Sequence, residues 1–369
     1  MEPVRHRSQA GLVRLAALLL LLLAGCASDG PRPVLHYGVE DAPEGKRVLW
    51  PAPPEVPRYM YAGQLTGEAN FKKPDEVRRG VAGMLRWLAG LVVGEKPPTV
   101  LQRPHAGTVD ELGRVYVTDM SRQAVFVFDE KRGELAVWDR AEGLASFVAP
   151  AAIALGSDGR VLVTDAELGI VARLDRDGNP MRSVGRGLFK RPTGIAYDRS
   201  ARRMFVADTH AHDVKVLDDD GVLVAVIGRP GDGAGELNYP THVAYAQGAL
   251  YVTDTMNSRI QVFDPKTGEL KLTFGERGLY VGNMVRPKGV AVDSEGNIYV
   301  IESYFDHLLI YNARGRFLMS VGGVGRDTGR FYLPAGVWVD SRNRIFIADM
   351  FNGRVVVFQF LGGDAEGAQ

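Results

Sequence analysis

Pro-Lys-Gly-Val-Ala-Val-Asp at residues 287–293, followed by Gly-Asn-Ile-Tyr-Val at 296–300, sets a pattern that the rest of the chain repeats. A proline opens an apolar run, a glycine-bearing turn follows, and a second β-rich run ends in an acid. That is the signature of two short antiparallel strands. Working outward, prolines stand at the same place at Pro104, Pro150, Pro192, Pro240, Pro287 and Pro334, spaced by 46, 42, 48, 47 and 47 residues. Each is followed about fifteen residues later by an acid: Asp119, Asp165, Asp208, Asp254, Glu302 and Asp349. Six residues beyond each acid another apolar run begins, at Val125, Val171, Val214, Ile260, Leu308 and Val355. Four strands fit in each unit, and no unit holds a helical stretch long enough for a crossover between parallel strands. The expected fold class is all-β, a six-bladed propeller.

The clearest second copy, Tyr-Val-Thr-Asp-Thr-Met-Asn-Ser-Arg-Ile-Gln-Val-Phe-Asp at 251–264, resembles the NHL repeat. The resemblance extends over residues 58–361 and implies a six-bladed NHL-type propeller. It is nearly silent on function, because such folds host many unrelated sites. The sixth unit supplies strands near 336–339, 345–348 and 354–360 and lacks a fourth. Residues 58–65, Arg-Tyr-Met-Tyr-Ala-Gly-Gln-Leu, look like the missing outer strand, which predicts that the N-terminal strand pairs with 354–360 and closes the ring. An insertion at 72–98 interrupts the pattern. Val77, Val81, Met84, Leu85, Leu88, Leu91 and Val92 recur in it at helical spacing, which predicts an amphipathic helix over 75–93 that packs on the ring, lids its channel or meets a partner.

The N-terminus has a different composition. Arg5, Arg7 and Arg14 precede an apolar run ending in Leu23-Ala24-Gly25-Cys26. Basic region, short apolar region and small residues are the parts of a secretory signal over 1–25. The last four residues resemble the lipobox of bacterial lipoproteins, which implies lipidation, with palmitate among the acyl chains, at Cys26, the one Cys of the 369 residues. Acyl chains contribute about 0.8 kcal/mol per buried methylene, so such a group anchors a chain to a membrane without a spanning helix. The position adjacent to Cys26 is Ala27 and not the Asp that holds such lipoproteins at the inner membrane, so the resemblance implies the outer membrane of a bacterial cell envelope, facing the periplasm or the surface. Residues 26–57 hold seven prolines and read as an extended spacer, and 362–369 as a disordered tail.

The chain has 44 Lys and Arg against 44 Asp and Glu, which argues against a nucleic-acid partner. A single Cys excludes a disulfide framework. Glycine, at 44 residues, fits the many tight turns.

If the inner strand of each blade starts at one end of the ring, here called the top, the loop before each proline and the loop after each acid share that end. His105, His242 and His307 fall there, as do His210 and His212. Arg103, Arg191, Arg286 and Lys288 cluster at the same channel mouth, where they would attract an anionic group. The aromatic loop Tyr304-Phe305 reads as a contact surface rather than a brace. The NHL resemblance implies that the repeat acids brace the blade hairpins. It also brings three activities into view: a zinc lyase with histidines near the blade openings, a calcium-dependent lactonase, and noncatalytic binding. His105 follows its proline as in the lyase pattern and His242 is displaced by one, which makes these two the candidate metal ligands. No cofactor other than such a divalent metal is expected. Neither a Gly-x-Ser-x-Gly elbow nor a His-Glu-x-x-His motif occurs. The leading expectation is a lipid-anchored module that binds an envelope protein or a small ligand at the mouth. A metal-dependent enzyme at the same mouth is the alternative.

Overall fold

The computed structural model describes residues 33–38, 47–72 and 98–362. The signal segment, Cys26, the expected 75–93 helix and nearly all of the tail lie outside the described residues.

Six sheets stand around a central channel. Their inner strands are Pro104–Val109, Pro150–Leu155, Pro192–Asp198, Pro240–Ala246, Pro287–Val292 and Val337–Val339. Successive inner strands abut, and the sixth returns to the first, so the ring is closed. Within blades one to five all pairing is antiparallel between neighbours in sequence, as in blade one, where Pro104–Val109, Val115–Asp119, Ala124–Asp129 and Glu134–Trp138 follow in order.

The sixth blade closes as the sequence predicts. Arg354–Phe360 pairs with Tyr59–Leu65, Val355 opposite Leu65 and Phe360 opposite Tyr59. The chain preceding that strand behaves differently from a free spacer. Leu49–Trp50 adds a fifth strand outside Tyr59–Leu65, and Val34–Leu35 pairs with Phe71–Lys72. Leu35 and Tyr37 pack on the wedge between blades six and one, so at these points apolar side chains hold the proline-rich stretch to the ring. Blade two departs from four strands. It has three, and Pro180 and Val184 meet its outer edge only as isolated bridges. Pro180 brings no N–H to a fourth strand.

The core is a set of wedges between neighbouring blades. Alternate residues of one strand face opposite wedges: Ile298 and Val300 pack toward blade four, Tyr299 and Ile301 toward blade six. This accounts for strands buried along their whole length, such as Ile298–Glu302.

Candidate functional site

The six repeat acids are buried and tie the top loops together. Asp119 accepts the main-chain N–H groups of Gln102 (2.6 Å) and Arg103 (3.0 Å) before its proline, and those of Ser121 and Arg122 after itself. Asp165 does the same for Val148, Ala149, Glu167 and Leu168. Asp208 accepts from Lys190 and Arg191 N–H and from Lys215 Nζ. Asp254 and Asp349 each hold one preceding N–H, an Asn three residues on and an Arg five residues on. Glu302 belongs with them: it accepts from Val285, Arg286 and Tyr304 N–H, so its carboxylate is a brace even though the loop after it is aromatic. Burial pushes the Glu302 and Asp349 carboxyls above their ordinary range, against the pull of these donors.

The mouth residues part company. Arg103 lies over the Phe351 ring at 5.0 Å, Arg191 pairs with Glu167 at 2.6 Å, and Arg286 is exposed. His307 sits opposite Glu302 in the ladder of blade five, half-buried, and burial lowers its imidazole below the usual value. His210 and His212 pack against Tyr239, with centroids 6.0 and 4.4 Å away. His105 and His242 do come together. They belong to blades one and four, on opposite sides of the ring, and their rings stack across the channel with centroids 5.6 Å apart and planes at 21°. His105 Nδ1 is 2.7 Å from Ala151 O, and His242 Nδ1 is 3.1 Å from Thr241 Oγ1. Burial and the nearby Lys288 charge lower His105 to about 4. His242 is held well below the usual value by burial, His105 and Lys288, and Lys288 itself is lowered by burial and Arg286. Both imidazoles are therefore neutral at pH 7.

Toward the bottom of the ring this pair meets a cavity of ≈ 310 Å³ lined by inner-strand residues that include Ala152, Gly194, His242, Val290 and Trp338. The wall is made of close backbone contacts. A Cβ on Gly194 would lie 2.8 Å from Thr241 O, and one on Gly289 2.5 Å from Val337 N. Among the described residues no three His, Cys, Asp or Glu side chains converge as a metal site requires. The charge that acts on both histidines is instead the Lys288 ammonium.

One feature of the top face escaped the sequence reading. Tyr239, Val324, Tyr332 and Phe351 are exposed in the loops that lead to a repeat proline or follow a repeat acid, and Leu279, Tyr280 and Val281 in a connection that reaches the outer edge of blade five, where Tyr311 Oη donates to Gly282 O, with Tyr280 exposed by 85% and Leu279 by 79%. Tyr332 and Phe351 touch at 5.5 Å, and Tyr304 packs edge-on against Phe305 at 4.9 Å. At the bottom the exposed large apolar side chains of the described loops are Val56, Leu112, Val222 and Leu361, and one aromatic, Phe317, is exposed where the outer strand of blade five begins. The signal was present in sequence: aromatics stand one residue before Pro240 and two before Pro334, and two after Asp349 and Glu302.

Comparisons with known proteins agree with this architecture. The NHL repeat model matches residues 237–263, and the DUF5128 model, described as a 6-bladed beta-propeller, matches 285–369. Protein brain tumor of Drosophila melanogaster is 30% identical over 142 residues, 38% of this chain and 13% of that protein. The E3 ubiquitin-protein ligase NHLRC1 of Homo sapiens is 30% identical over 120 residues, 32% of this chain and 29% of the ligase. The match thus spans less than a third of either relative. Among solved structures, virginiamycin B lyase from Staphylococcus aureus superposes with a TM-score of 0.52 at 15% identity, covering 70% of this chain and 96% of the lyase, a likeness of fold. Six closed blades, the repeated proline-to-acid unit and the two family matches make the chain a six-bladed β-propeller of NHL repeats.

Proposed function

We propose that the chain is a lipid-anchored, extracytoplasmic propeller that binds a protein partner through its top face and performs no chemistry there. The observation that carries this reading is the asymmetry between the two ends of the ring. Exposed Tyr and Phe side chains are concentrated in the top loops, with Arg103 stacked on Phe351, whereas among the described residues the bottom end exposes one aromatic, Phe317. Tyr and Arg are enriched at protein interfaces because they bury large areas at small entropic cost. The relatives are named as a ubiquitin-protein ligase and as protein brain tumor, and a binding role for the stretch they share with this chain is consistent with those names. The lipobox-like Leu23-Ala24-Gly25-Cys26 supports the anchor, and the absence of Asp after Cys26 supports an outer-membrane location.

A photo-crosslinking residue introduced at Tyr332 or Tyr304 in cells should yield a discrete adduct, whereas one at Leu112 on the bottom should not. Equal crosslinking from both ends would count against the top face. Incorporation of labelled palmitate, lost on Cys26→Ser, tests the anchor separately.

A further inference from the structure

Among the described residues, several buried or half-buried cations have acidic partners, and Lys288, which acts on the channel histidines, does not. Lys215 lies 2.8 Å from both Asp208 and Asp213, Arg259 lies 2.7 Å from Asp254, Arg354 lies 2.8 Å from Asp349, and Arg114 lies 2.7 Å from Asp110. Lys288 has no such acid. Its main-chain oxygen accepts from Thr253 Oγ1, while its ammonium has neither an ion pair nor a hydrogen bond among the described residues. The charges that act on it and on the histidine pair are Arg286, Lys288 itself and the two imidazoles, all basic groups. The carboxylates near the mouth are committed to main-chain N–H groups, as with Asp119 and Glu302. A half-buried cation without a counter-charge, lowered by its surroundings, is an arrangement that an anionic ligand can complete.

A second observation points to the same place. His242 is 7% exposed, and its Nε2 is buried with no hydrogen-bond partner. A buried imidazole nitrogen left unsatisfied is costly, so it too lacks a group that the fold does not provide. The bond between His105 Nδ1 and Ala151 O places the proton of the neutral ring on Nδ1, since a carbonyl oxygen only accepts. His105 Nε2 is then the atom that can take up a proton. The inner strands are held too close, at Gly336 against His105 and at Gly289 against Val337, for the site to widen toward a bulky ligand.

We propose that the channel plug formed by His105, His242 and Lys288 is an oxyanion-binding site, which takes a single carboxylate or phosphate group entering from the top. Lys288 supplies the charge, and His105 Nε2 and His242 Nε2 supply donors once a proton is taken up with the anion. Binding then tightens as pH falls. The inference does not depend on lipidation or on a docked protein.

The test is a histidine NMR titration of the purified mature chain at low ionic strength, with chloride as the ionic-strength control. The probes are inorganic phosphate, acetate, and a short peptide with a free C-terminal carboxylate beside its amidated form. The expected result is a saturable change at the His105 and His242 resonances but not at His210. The apparent pKa of His105 should rise by about one pH unit, a tenfold tighter hold on the proton. Lys288→Met should abolish the change while leaving the His210 resonance in place, which separates loss of the site from loss of fold. A response to phosphate and acetate alone identifies a free small anion as the ligand, and a preference for the free-acid peptide identifies a polypeptide carboxylate. No saturable change with any probe would overturn the proposal. So would an undiminished response in Lys288→Met, or stoichiometric zinc lost on His105→Ala with no response to anions.

Discussion

A Cβ placed on Gly336 would stand 2.3 Å from the main-chain oxygen of His105, so the sixth inner strand presses directly on the first at the position that carries the channel histidine. Any side chain there must part the two strands. Gly336→Ala should lower stability by about 1–3 kcal/mol, the usual range for overpacking. The measurement is the midpoint of urea unfolding, with an unchanged slope. The His105 resonance should shift in the folded variant, since the contact is with its own backbone.

Asp208 is withdrawn from solvent and holds two loop N–H groups and the buried Lys215 ammonium. Removing the carboxylate leaves two buried donors unpaired and Lys215 with Asp213 as its remaining acid, so Asp208→Ala should cost about 1–3 kcal/mol. Lys215→Met should cost less in that background than in the parent, because one of its two ion pairs is already gone. A thermal-melt double-mutant cycle checks both statements, and strict additivity would contradict them.

The channel histidines give a pH dependence of known sign. His105 holds its proton only below about 4 in the folded chain, whereas the unfolded chain takes it up near the ordinary value of 6.5. Between those limits the unfolded state binds more protons, so stability is complete above about pH 6.5 and falls as pH drops toward 4. The loss from this residue is at most about 3 kcal/mol, and it levels off below the folded value. Glu302, raised by burial, acts in the opposite sense, favouring the folded chain as pH falls through its own window. His105→Gln should therefore flatten the decline between pH 6.5 and 4 in denaturation curves.

Leu65, fully buried, sits opposite Val355 in the closing ladder and packs in the wedge between blades six and one. Leu65→Ala should cost about 2–5 kcal/mol, the range for core truncations of this size. If the strand Tyr59–Leu65 were dispensable, the melting temperature would barely move.

The fold was legible because its signals are periodic and local. Six prolines mark the inner strands, six acids mark the turns, and an outer-strand pattern at 58–65 matches the strand missing from the last unit. The convergence of His105 with His242 was not legible. It depends on opposite blades facing one another across a channel, a relation between positions 137 residues apart that no spacing encodes. Nor could sequence say that Arg103 would lie on Phe351 and Arg191 on Glu167 while Lys288 stayed unpaired, since each outcome turns on which neighbour the adjoining loop supplies. The packing of Leu35 and Trp50 on the ring was missed for a related reason: prolines report local stiffness and carry no information about where two apolar side chains land.

The closing sheet also sets an order in time. Arg354 donates to Gln64 across 290 residues of sequence, so the strand Tyr59–Leu65 is made before its partner with five blades between them. During synthesis that first strand is an open edge, available to any other extended chain until residues 354–360 emerge. Ring closure is therefore a non-local event that must await all the intervening blades, and contacts of such long sequence separation form slowly. A cell that makes this protein has to keep one sheet edge unoccupied while those blades are translated.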